Sequence, residues 1–275
     1  MENMKFSVAM CTYCKDNPVW LETAIESILN QTVAPSEVVL VVDGSVPQEL
    51  NSVIEGYALN PIFKIIKLKE NMGHGIARKI GLDNCSNELV AIMDSDDISA
   101  PQRFERQLAL FESDDKLDIV GGNITEFIGE STNIVGKRIV PVVDTDIKEY
   151  LKFRCPMNLV TVMFKKSAVE SVGGFIDWYC EEDYYLWVRM YLANMKFANT
   201  SEVLVNVRVG KDMYNRRGGI KYFKSEAKLQ KYMLDNKIIG FGTYLSNVAK
   251  RLIVQVLMPN KIRGFIFKKF AREKL

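Results

Sequence analysis

The sequence predicts an α/β fold in which a mostly parallel central sheet is flanked by helices. Short and almost wholly apolar runs, such as residues 37–42, alternate in the first half of the chain with segments whose apolar residues recur at helical spacing. Apolar runs of this length are typical of strands that are covered on both faces, and their alternation with helices is typical of parallel sheets. Ligands of such sheets bind beyond the carboxyl ends of the strands, so we expect the functional residues there.

The elements of the first half follow a regular order. A predicted strand at 6–11 leads into a helix whose start is marked by Asp16, Asn17 and Pro18, since Asp and Asn cap helices and proline suits the first turn. This alternation of strand and helix predicts a Rossmann-like sheet over about the first 118 residues. The remaining elements of this half are predicted strands at 37–42, 63–68 and 89–93, and predicted helices at 75–83 and from about 101 to 111.

The second half of the chain predicts mixed rather than parallel strands. Strands are expected at 119–127 and 159–164, with a helix at 144–153 between them and a second helix at 183–192. No internal repeat, low-complexity segment or change of composition marks a linker before about residue 210. Residues 1–210 are therefore predicted to form one continuous unit.

Charge is distributed unevenly along the chain. From Lys221 onward there are 13 basic and 3 acidic residues, which leaves 23 of the 36 basic and 31 of the 34 acidic residues in the part before it. Residues 211–275 are predicted to form a basic amphipathic helical tail that Pro259 divides into short helices. Such a tail suits an anionic membrane surface, although a helix packed on the body with a solvated basic face explains the pattern equally well. A nucleic-acid partner is not expected, because no recognition motif is present and the body is acidic.

The N-terminus predicts a cytoplasmic protein. It lacks the pattern of a signal peptide, and no run approaches the ~20 apolar residues that span a bilayer. With the basic tail, the expected location is the cytoplasm, with peripheral contact to the inner membrane face. The five cysteines are odd in number and scattered, so we expect them to be reduced. Cys11 and Cys14 form a lone C-x-x-C without a second pair, which does not predict a zinc site.

An acidic run, Asp94-Ser95-Asp96-Asp97, directly follows the predicted buried strand at 89–93. Three carboxylates at such a position repel one another and are costly to bury unless a cation neutralises them. Carboxylate oxygens suit Mg²⁺ or Mn²⁺, which can also bridge to a diphosphate. The alternative is that the run only caps the helix that follows.

With these elements the sequence resembles the inverting family 2 glycosyltransferases, which have a GT-A fold, and in particular those of bacterial surface-polysaccharide synthesis. The resemblance spans most of residues 5–210. It implies a catalytic domain at 1–210, with a nucleotide-binding half to about 118 and an acceptor half at 119–210. The motifs that carry it are Ser7-Val8-Ala9-Met10-Cys11-Thr12-Tyr13, Val41-Val42-Asp43-Gly44-Ser45, Asn71-Met72-Gly73 followed by Arg78 and Gly81, and Asp94-Ser95-Asp96, which matches the family's D-x-D motif.

The resemblance implies roles for the residues at these positions. Asp43 would accept a hydrogen bond from uracil, and Asp94 would bind the ribose. Asp96 would be the ligand of Mn²⁺ or Mg²⁺, with Asp94 as a second candidate. The full set of donor-binding residues that it implies is Thr12, Tyr13, Asp43, Arg78, Asp94 and Ser95.

On the acceptor side, an acidic triplet, Glu181-Glu182-Asp183, opens the predicted helix at 183–192. Acidic residues in a first turn also interact favourably with the helix dipole, so a structural explanation stays open. The resemblance places the family's Glu-Asp motif here and implies that Asp183 is the general base and that Glu182 positions the acceptor. Trp178 could stack on a sugar face or pack in the core.

One departure from the family's pattern concerns the metal site. Many relatives have a histidine where this chain has Gly210, two residues after Arg208. The phosphates could then be neutralised by Arg208, Arg216 and Arg217, or His74 could substitute for the missing ligand.

The predicted function is transfer of a sugar from a nucleotide diphosphate, expected to be a UDP-sugar, to a hydroxyl of a glycan or lipid-linked saccharide. One alternative is a nucleotidyltransferase, but residues 11–17 lack the glycine-rich basic loop expected of that class. The other is a non-catalytic sugar-nucleotide-binding protein at the membrane.

Overall fold

The computed structural model describes residues 4–210 and 218–258, and its centre is one sheet. The strands are β1 (Phe6–Tyr13), β2 (Glu37–Asp43), β3 (Phe63–Lys67), β4 (Leu89–Met93), β5 (Ile98–Ser99), β6 (Ile119–Phe127), β7 (Ile134–Arg138), β8 (Met163–Lys165) and β9 (Phe197–Arg208). The helices are α1 (Pro18–Leu29), α2 (Gln48–Tyr57), α3 (His74–Asn84), α4 (Arg103–Ser113), α5 (Asp144–Leu151), α6 (Lys166–Ser171), α7 (Glu182–Leu192), α8 (Ile220–Asp235) and α9 (Phe241–Leu252). A 3₁₀ turn at Leu159–Thr161 and a π-helical turn at Ile253–Leu257 complete the described elements.

The sheet has the order β3-β2-β1-β4-β8-β6-β9-β5, with β7 beside β6. β1 pairs in parallel with β2 and β4, and β2 pairs in parallel with β3. Beyond β4 the sheet is mixed, because β8 runs antiparallel to both of its neighbours while β6 and β9 are parallel to each other. Six of the nine strands in the described part of the chain share one direction, so the predicted mostly parallel α/β sheet is confirmed.

Both faces of the central strands are covered. Successive side chains of a strand point to opposite faces, so Val8 and Met10 of β1 pack with α1 and α4, while Ala9 packs with α3. In β2 the apolar residues at 38–42 divide in the same way between two hydrophobic cores. This explains why the central strands are apolar at almost every position.

The register of the sheet brings three strand ends to one edge. Tyr13 at the end of β1 lies opposite Asp43 at the end of β2, and Met10 lies opposite Met93 at the end of β4. The polar residues that follow these strands therefore meet at one edge. Gly44 has a φ of +88°, and a Cβ there would lie 2.7 Å from the backbone nitrogen of Asn71, so a glycine is needed for this close approach.

The segment predicted as a strand at 159–164 is only partly one. It begins with the 3₁₀ turn, in which the backbone nitrogen of Thr161 donates to the carbonyl oxygen of Asn158 at 2.8 Å and its hydroxyl donates to the same oxygen at 2.7 Å. Only Met163–Lys165 joins the sheet. The start of α1 is as predicted, since the Asn17 side chain accepts hydrogen bonds from the backbone nitrogens of Val19 and Trp20.

The described part of the predicted tail is docked against the residues that follow α5. The Asn247 side chain donates to Gln230 Oε1 at 2.8 Å and to the carbonyl oxygen of Lys152 at 2.9 Å. Arg251 Nη2 donates to the carbonyl oxygen of Phe153 at 3.0 Å. Arg216, Arg217 and the predicted break at Pro259 lie outside the described residues. Within 4–210 and 218–258, no helix combines the length and the hydropathy that a membrane span requires.

Candidate active site

A cleft of about 480 Å³ opens at the edge where β1, β2 and β4 end. It brings together most of the residues predicted to bind the donor. The residues that line it are Cys11, Thr12, Tyr13, Lys15, Asp16, Asn17, Trp20, Asp43, Asn71, Gly73, His74, Ala77, Asp94, Ser95 and Asp96.

Asp43 closes one side of the cleft and holds the loop before α3. Its Oδ1 accepts from the backbone nitrogen of Met72 at 2.7 Å, and its Oδ2 accepts from that of Gly73 at 3.1 Å. The side chain of Asn71 donates back to the carbonyl oxygen of Asp43 at 3.2 Å. Each carboxylate oxygen has a second lone pair, so the predicted contact with a base is chemically open to Asp43.

Asp16 is a cleft residue that sequence reasoning missed. Its Oδ2 accepts from Ser95 Oγ at 2.6 Å, Thr12 Oγ1 at 2.9 Å and the backbone nitrogen of Tyr13 at 3.2 Å. It thereby joins the turn after β1 to the turn after β4. The sequence suggested only a helix cap, a role that Asn17 fills. The available signal was its position just beyond the carboxyl end of a buried strand.

Arg78 of α3 is buried between two carboxylates rather than exposed to the cleft. Its Nη2 donates to Asp94 Oδ1 at 3.0 Å, and its Nη1 donates to Glu182 Oε1 at 2.9 Å. Burial alone would raise the pKa of Asp94, but the Arg78 guanidinium overcomes this and holds the pKa below its usual value. Burial and the neighbouring Asp183 raise the pKa of Glu182. Arg78 therefore connects the acidic run beside the cleft with the start of α7.

The two remaining carboxylates of the acidic run, Asp96 and Asp97, lie in different surroundings. Asp96 lines the cleft, where burial and the charges of Asp94 and Asp16 raise its pKa to about 6. Asp97 is buried, and its Oδ1 accepts from the backbone nitrogen of Arg208 at 2.8 Å. Asp97 thus attaches β9 to the acidic run, and Asp96 is the member of this pair that can reach a ligand.

Arg208 lies beside the acidic run. Its Nε donates to the carbonyl oxygen of Asp96 at 3.1 Å, and Nη1 donates to that of Gly129 at 2.9 Å. The guanidinium carbon lies 4.6 Å from the ring centroids of both Trp20 and Phe127. Arg208 therefore orders the backbone of the acidic run from outside the cleft lining.

His74 lies in the cleft lining at the start of α3. The nearby Arg78 charge and burial lower its pKa to about 4. Its imidazole is therefore neutral near pH 7, the form that can ligate a metal ion.

The carboxylates of the cleft suit a divalent cation that takes only one or two of its ligands from the protein. Among the residues that the structure describes, no group of three or more His, Cys, Asp or Glu side chains forms a complete metal site. Asp96 nevertheless lies in a cluster of negative charge that raises its pKa, which is the environment that a cation stabilises. Mg²⁺ in particular often takes one or two protein carboxylates and completes its shell with phosphate oxygens and water.

The acidic triplet Glu181-Glu182-Asp183 lies at the start of α7, where Glu182 contacts Arg78. Asp183 is partly exposed, and Cys155 Sγ lies 3.9 Å from its Oδ2. Glu181 is buried, and burial together with Glu226 and Asp183 raises its pKa well above the usual value. Cys180, just before the triplet, has a φ of +57°, which places it in the left-handed region that non-glycine residues seldom adopt.

Trp178, predicted to stack on a sugar or pack in the core, makes internal contacts. Its ring centroid lies 4.3 Å from that of Tyr185, and its Nε1 donates to the carbonyl oxygen of Ser225 at 3.4 Å. It remains partly exposed.

The fold and site define a GT-A glycosyltransferase. Its parallel strands end at an acidic cleft, and a second acidic motif lies beside that cleft at the start of a helix. The chain belongs to glycosyl transferase family 2, whose model matches residues 7–172. The nucleotidyltransferase alternative is not favoured.

Several curated relatives match almost the whole chain. A UDP-Gal:alpha-D-GlcNAc-diphosphoundecaprenol beta-1,3-galactosyltransferase from Escherichia coli is 38% identical over 273 residues, which are 98% of each chain. The amylovoran biosynthesis glycosyltransferase AmsE from Erwinia amylovora is 37% identical over 268 residues, which are 96% of this chain and 98% of AmsE.

Solved structures show the same fold. S. aureus TarS 1-349 in complex with UDP-GlcNAc has a TM-score of 0.68 and 19% identity, covering 91% of this chain and 73% of that one. The mannosyltransferase PcManGT from Pyrobaculum calidifontis, in complex with GDP-Man and Mn²⁺, has a TM-score of 0.62 and 15% identity, covering 92% and 70%. The predicted GT-A fold is thus confirmed.

Proposed function

We propose that this protein transfers a sugar from a UDP-sugar to a hydroxyl of a lipid-linked saccharide, with inversion at the anomeric carbon, during synthesis of a bacterial surface polysaccharide. The observation that carries the proposal is the connection, through Arg78, of an acidic donor cleft with the acidic motif of α7. The named activities of the Escherichia coli and Erwinia amylovora relatives support this substrate class.

The cleft residues account for donor binding in this proposal. Asp43, with Thr12 and Tyr13, would hold the base at the ends of β2 and β1, and Asp94 and Ser95 would face the ribose at the end of β4. Asp16 would keep the turns after β1 and β4 together around the nucleotide. Asp96, with Asp94 beside it, would hold Mg²⁺ or Mn²⁺. When bound, the cation would neutralise negative charge on the diphosphate.

Asp183 would act as the general base. In a direct displacement, the acceptor oxygen forms a bond to the anomeric carbon while the bond to the diphosphate oxygen breaks, and Asp183 takes the hydroxyl proton. Glu182 would position the acceptor, since its own carboxylate is fixed by Arg78. Displacement from the opposite face inverts the anomeric configuration without a covalent sugar–enzyme intermediate.

The membrane proposal rests on the described part of the C-terminal region. The surface formed by Phe241, Leu245, Ile253 and Leu257, which we call the apolar face, is 65, 50, 51 and 67% exposed. The residues that the same segment buries are polar, namely Asn247 and Gln255. Tyr244 of the same segment packs against the core, but these four large apolar side chains face outward, whereas a helix on the surface of a water-soluble protein usually turns its apolar residues inward.

The exposed apolar face suits an apolar environment outside the protein. The chain from Lys221 onward is strongly basic, so the face would meet an anionic bilayer. A protein bound there would reach a lipid-linked acceptor held in the bilayer. We therefore propose peripheral binding to the inner face of the cytoplasmic membrane.

A panel of UDP-, GDP- and dTDP-sugars tests the donor assignment. Release of the nucleoside diphosphate is measured with Mn²⁺, Mg²⁺ or EDTA. We expect release from a UDP-sugar that depends on the added cation. Equal release from GDP- or dTDP-sugars would contradict the assignment to UDP.

A further inference from the structure

A row of lysines follows one face of α8. Lys221, Lys224, Lys228 and Lys231 are all exposed, and their spacing of three, four and three residues places them along one side of the helix. Lys231 pairs with Asp235. In the described ranges, no carboxylate lies within ion-pair distance of the other three lysines. These three, which we call the lysine row, carry positive charge that no described carboxylate neutralises.

Two ammonium groups of the lysine row are held by aromatic rings. Lys221 Nζ lies 4.0 Å from the ring centroid of Tyr179, and Lys228 Nζ lies 4.1 Å from that of Trp178. A cation over an aromatic ring is attracted by the electrons of the ring face, so these contacts limit the freedom of the two side chains.

The loop that carries the rings is itself attached to α8. The hydroxyl of Ser225 donates to the carbonyl oxygen of Tyr179 at 2.6 Å, and Trp178 Nε1 donates to the carbonyl oxygen of Ser225 at 3.4 Å. The lysine row and the aromatic loop therefore form one surface.

This surface lies next to the acceptor side of the site. Tyr179 precedes Glu181, the first residue of the acidic triplet, by only two residues. Glu182 is connected through Arg78 to Asp94 in the cleft. No described residue of α8 lines that cleft, so the lysine row is not placed to bind the diphosphate of the donor.

We propose that Lys221 and Lys228, with Lys224 between them, bind the diphosphate of the acceptor. The inference rests on the proposed function, in which the acceptor is a lipid-linked saccharide, and takes the diphosphate linkage from the named acceptor of the Escherichia coli relative. Seven residues of helix separate Lys221 from Lys228 by roughly 10 Å along the axis, a distance that two long lysine side chains can span around one diphosphate. The sugar would then lie between the aromatic loop and Asp183.

The test is equilibrium binding of a soluble acceptor, measured by calorimetry without donor. The probe is GlcNAc joined through diphosphate to a short alkyl chain, compared with the same alkyl glycoside lacking phosphate. The wild-type protein is expected to bind the diphosphate compound at least ~10-fold more tightly, since each charge-assisted contact contributes on that order. Lys221→Gln/Lys228→Gln should remove this preference.

Two matched variants serve as controls. Lys231→Gln changes the lysine that already has a carboxylate partner, and its affinity should equal that of the wild type. Lys221→Arg/Lys228→Arg keeps both charges and should retain the preference within a few-fold.

Equal affinity of the wild type for the two probes, or an unchanged preference in Lys221→Gln/Lys228→Gln, would overturn the proposal. Phospholipid headgroups offer the same phosphate chemistry, so binding to phosphatidylglycerol vesicles is measured in parallel. A double variant that loses only vesicle binding would assign the lysine row to the membrane and overturn the acceptor site. Lysine-dependent binding without any sugar transfer would instead contradict the proposed function and leave this site in place.

Discussion

Arg78 Nη2 lies 3.0 Å from Asp94 Oδ1, and the arginine that makes this ion pair is almost fully buried. The same guanidinium reaches Glu182 through Nη1 at 2.9 Å. One side chain of α3 therefore fixes both a carboxylate of the cleft and a carboxylate at the start of α7. The buried guanidinium of Arg78 thus joins these two parts of the candidate site.

Replacing Arg78 should destabilise the protein strongly. Arg78→Met leaves Asp94 and Glu182 without their shared partner, and breaking a buried ion pair in this way costs about 3–5 kcal/mol. Urea denaturation measures the change in the free energy of unfolding. Lys79→Met, on the same helix in an exposed pair with Asp83, should change it by less than ~1 kcal/mol. Equal effects of the two substitutions would show that the buried pair contributes no more than a surface pair.

Asp16 is expected to support nucleotide binding by holding the cleft in shape. Asp16→Ala removes the acceptor of three hydrogen bonds that join the turns after β1 and β4. We expect the affinity for UDP, measured by calorimetry, to fall by about 10-fold because the cleft is no longer held in shape. Asp115→Ala, at an exposed position, is the control and should bind UDP normally. Normal UDP binding by both variants would remove Asp16 from the donor site.

Asp96 is expected to couple UDP binding to the divalent cation. In the wild type, EDTA should weaken UDP binding, because the cation offsets repulsion between the diphosphate and the carboxylates of the cleft. In Asp96→Ala the affinity should be nearly the same with Mn²⁺ and with EDTA. Calorimetry under both conditions gives the comparison. If the variant responds to Mn²⁺ as the wild type does, Asp96 is not the ligand.

The apolar face should be needed for binding to vesicles and not for folding. Leu245→Ser/Ile253→Ser changes two exposed positions, so the free energy of unfolding should change by less than ~0.5 kcal/mol. Flotation with phosphatidylglycerol vesicles should show loss of binding. Leu59→Ser, at an exposed leucine just after α2, is the matched control. Vesicle binding that survives in the double variant would place the membrane contact elsewhere.

The sequence predicted the parallel part of the fold well because the central strands are buried on both faces. β2 and β4 are apolar at nearly every position, and this constraint is visible without any tertiary information. The strand expected at 159–164 was harder to delimit. Its first half forms a turn through hydrogen bonds of Asn158 and Thr161, and apolar patterning does not report such bonds.

Parts of the site could not be predicted because they depend on hydrogen bonds between residues that are far apart in sequence. Asp16 owes its position to hydrogen bonds with Thr12 and Ser95, and Ser95 is 79 residues away in sequence. Helical periodicity predicted an amphipathic segment in the tail but gave no indication of which face would dock. The hydrogen bonds of Asn247 show that the docked side of the helix is the one that carries this residue.

The most direct test of the central claim is sugar transfer to a diphosphate-linked acceptor by the wild type and by Asp183→Asn. A labelled UDP-sugar is the donor, and the labelled lipid product is counted. The wild type should form product, and Asp183→Asn should be slower by about 10²–10⁴-fold because it lacks the general base, with unchanged affinity for UDP. Asp177→Asn, at an exposed residue before the triplet, should keep full activity. Product formation by Asp183→Asn at the wild-type rate would contradict the account.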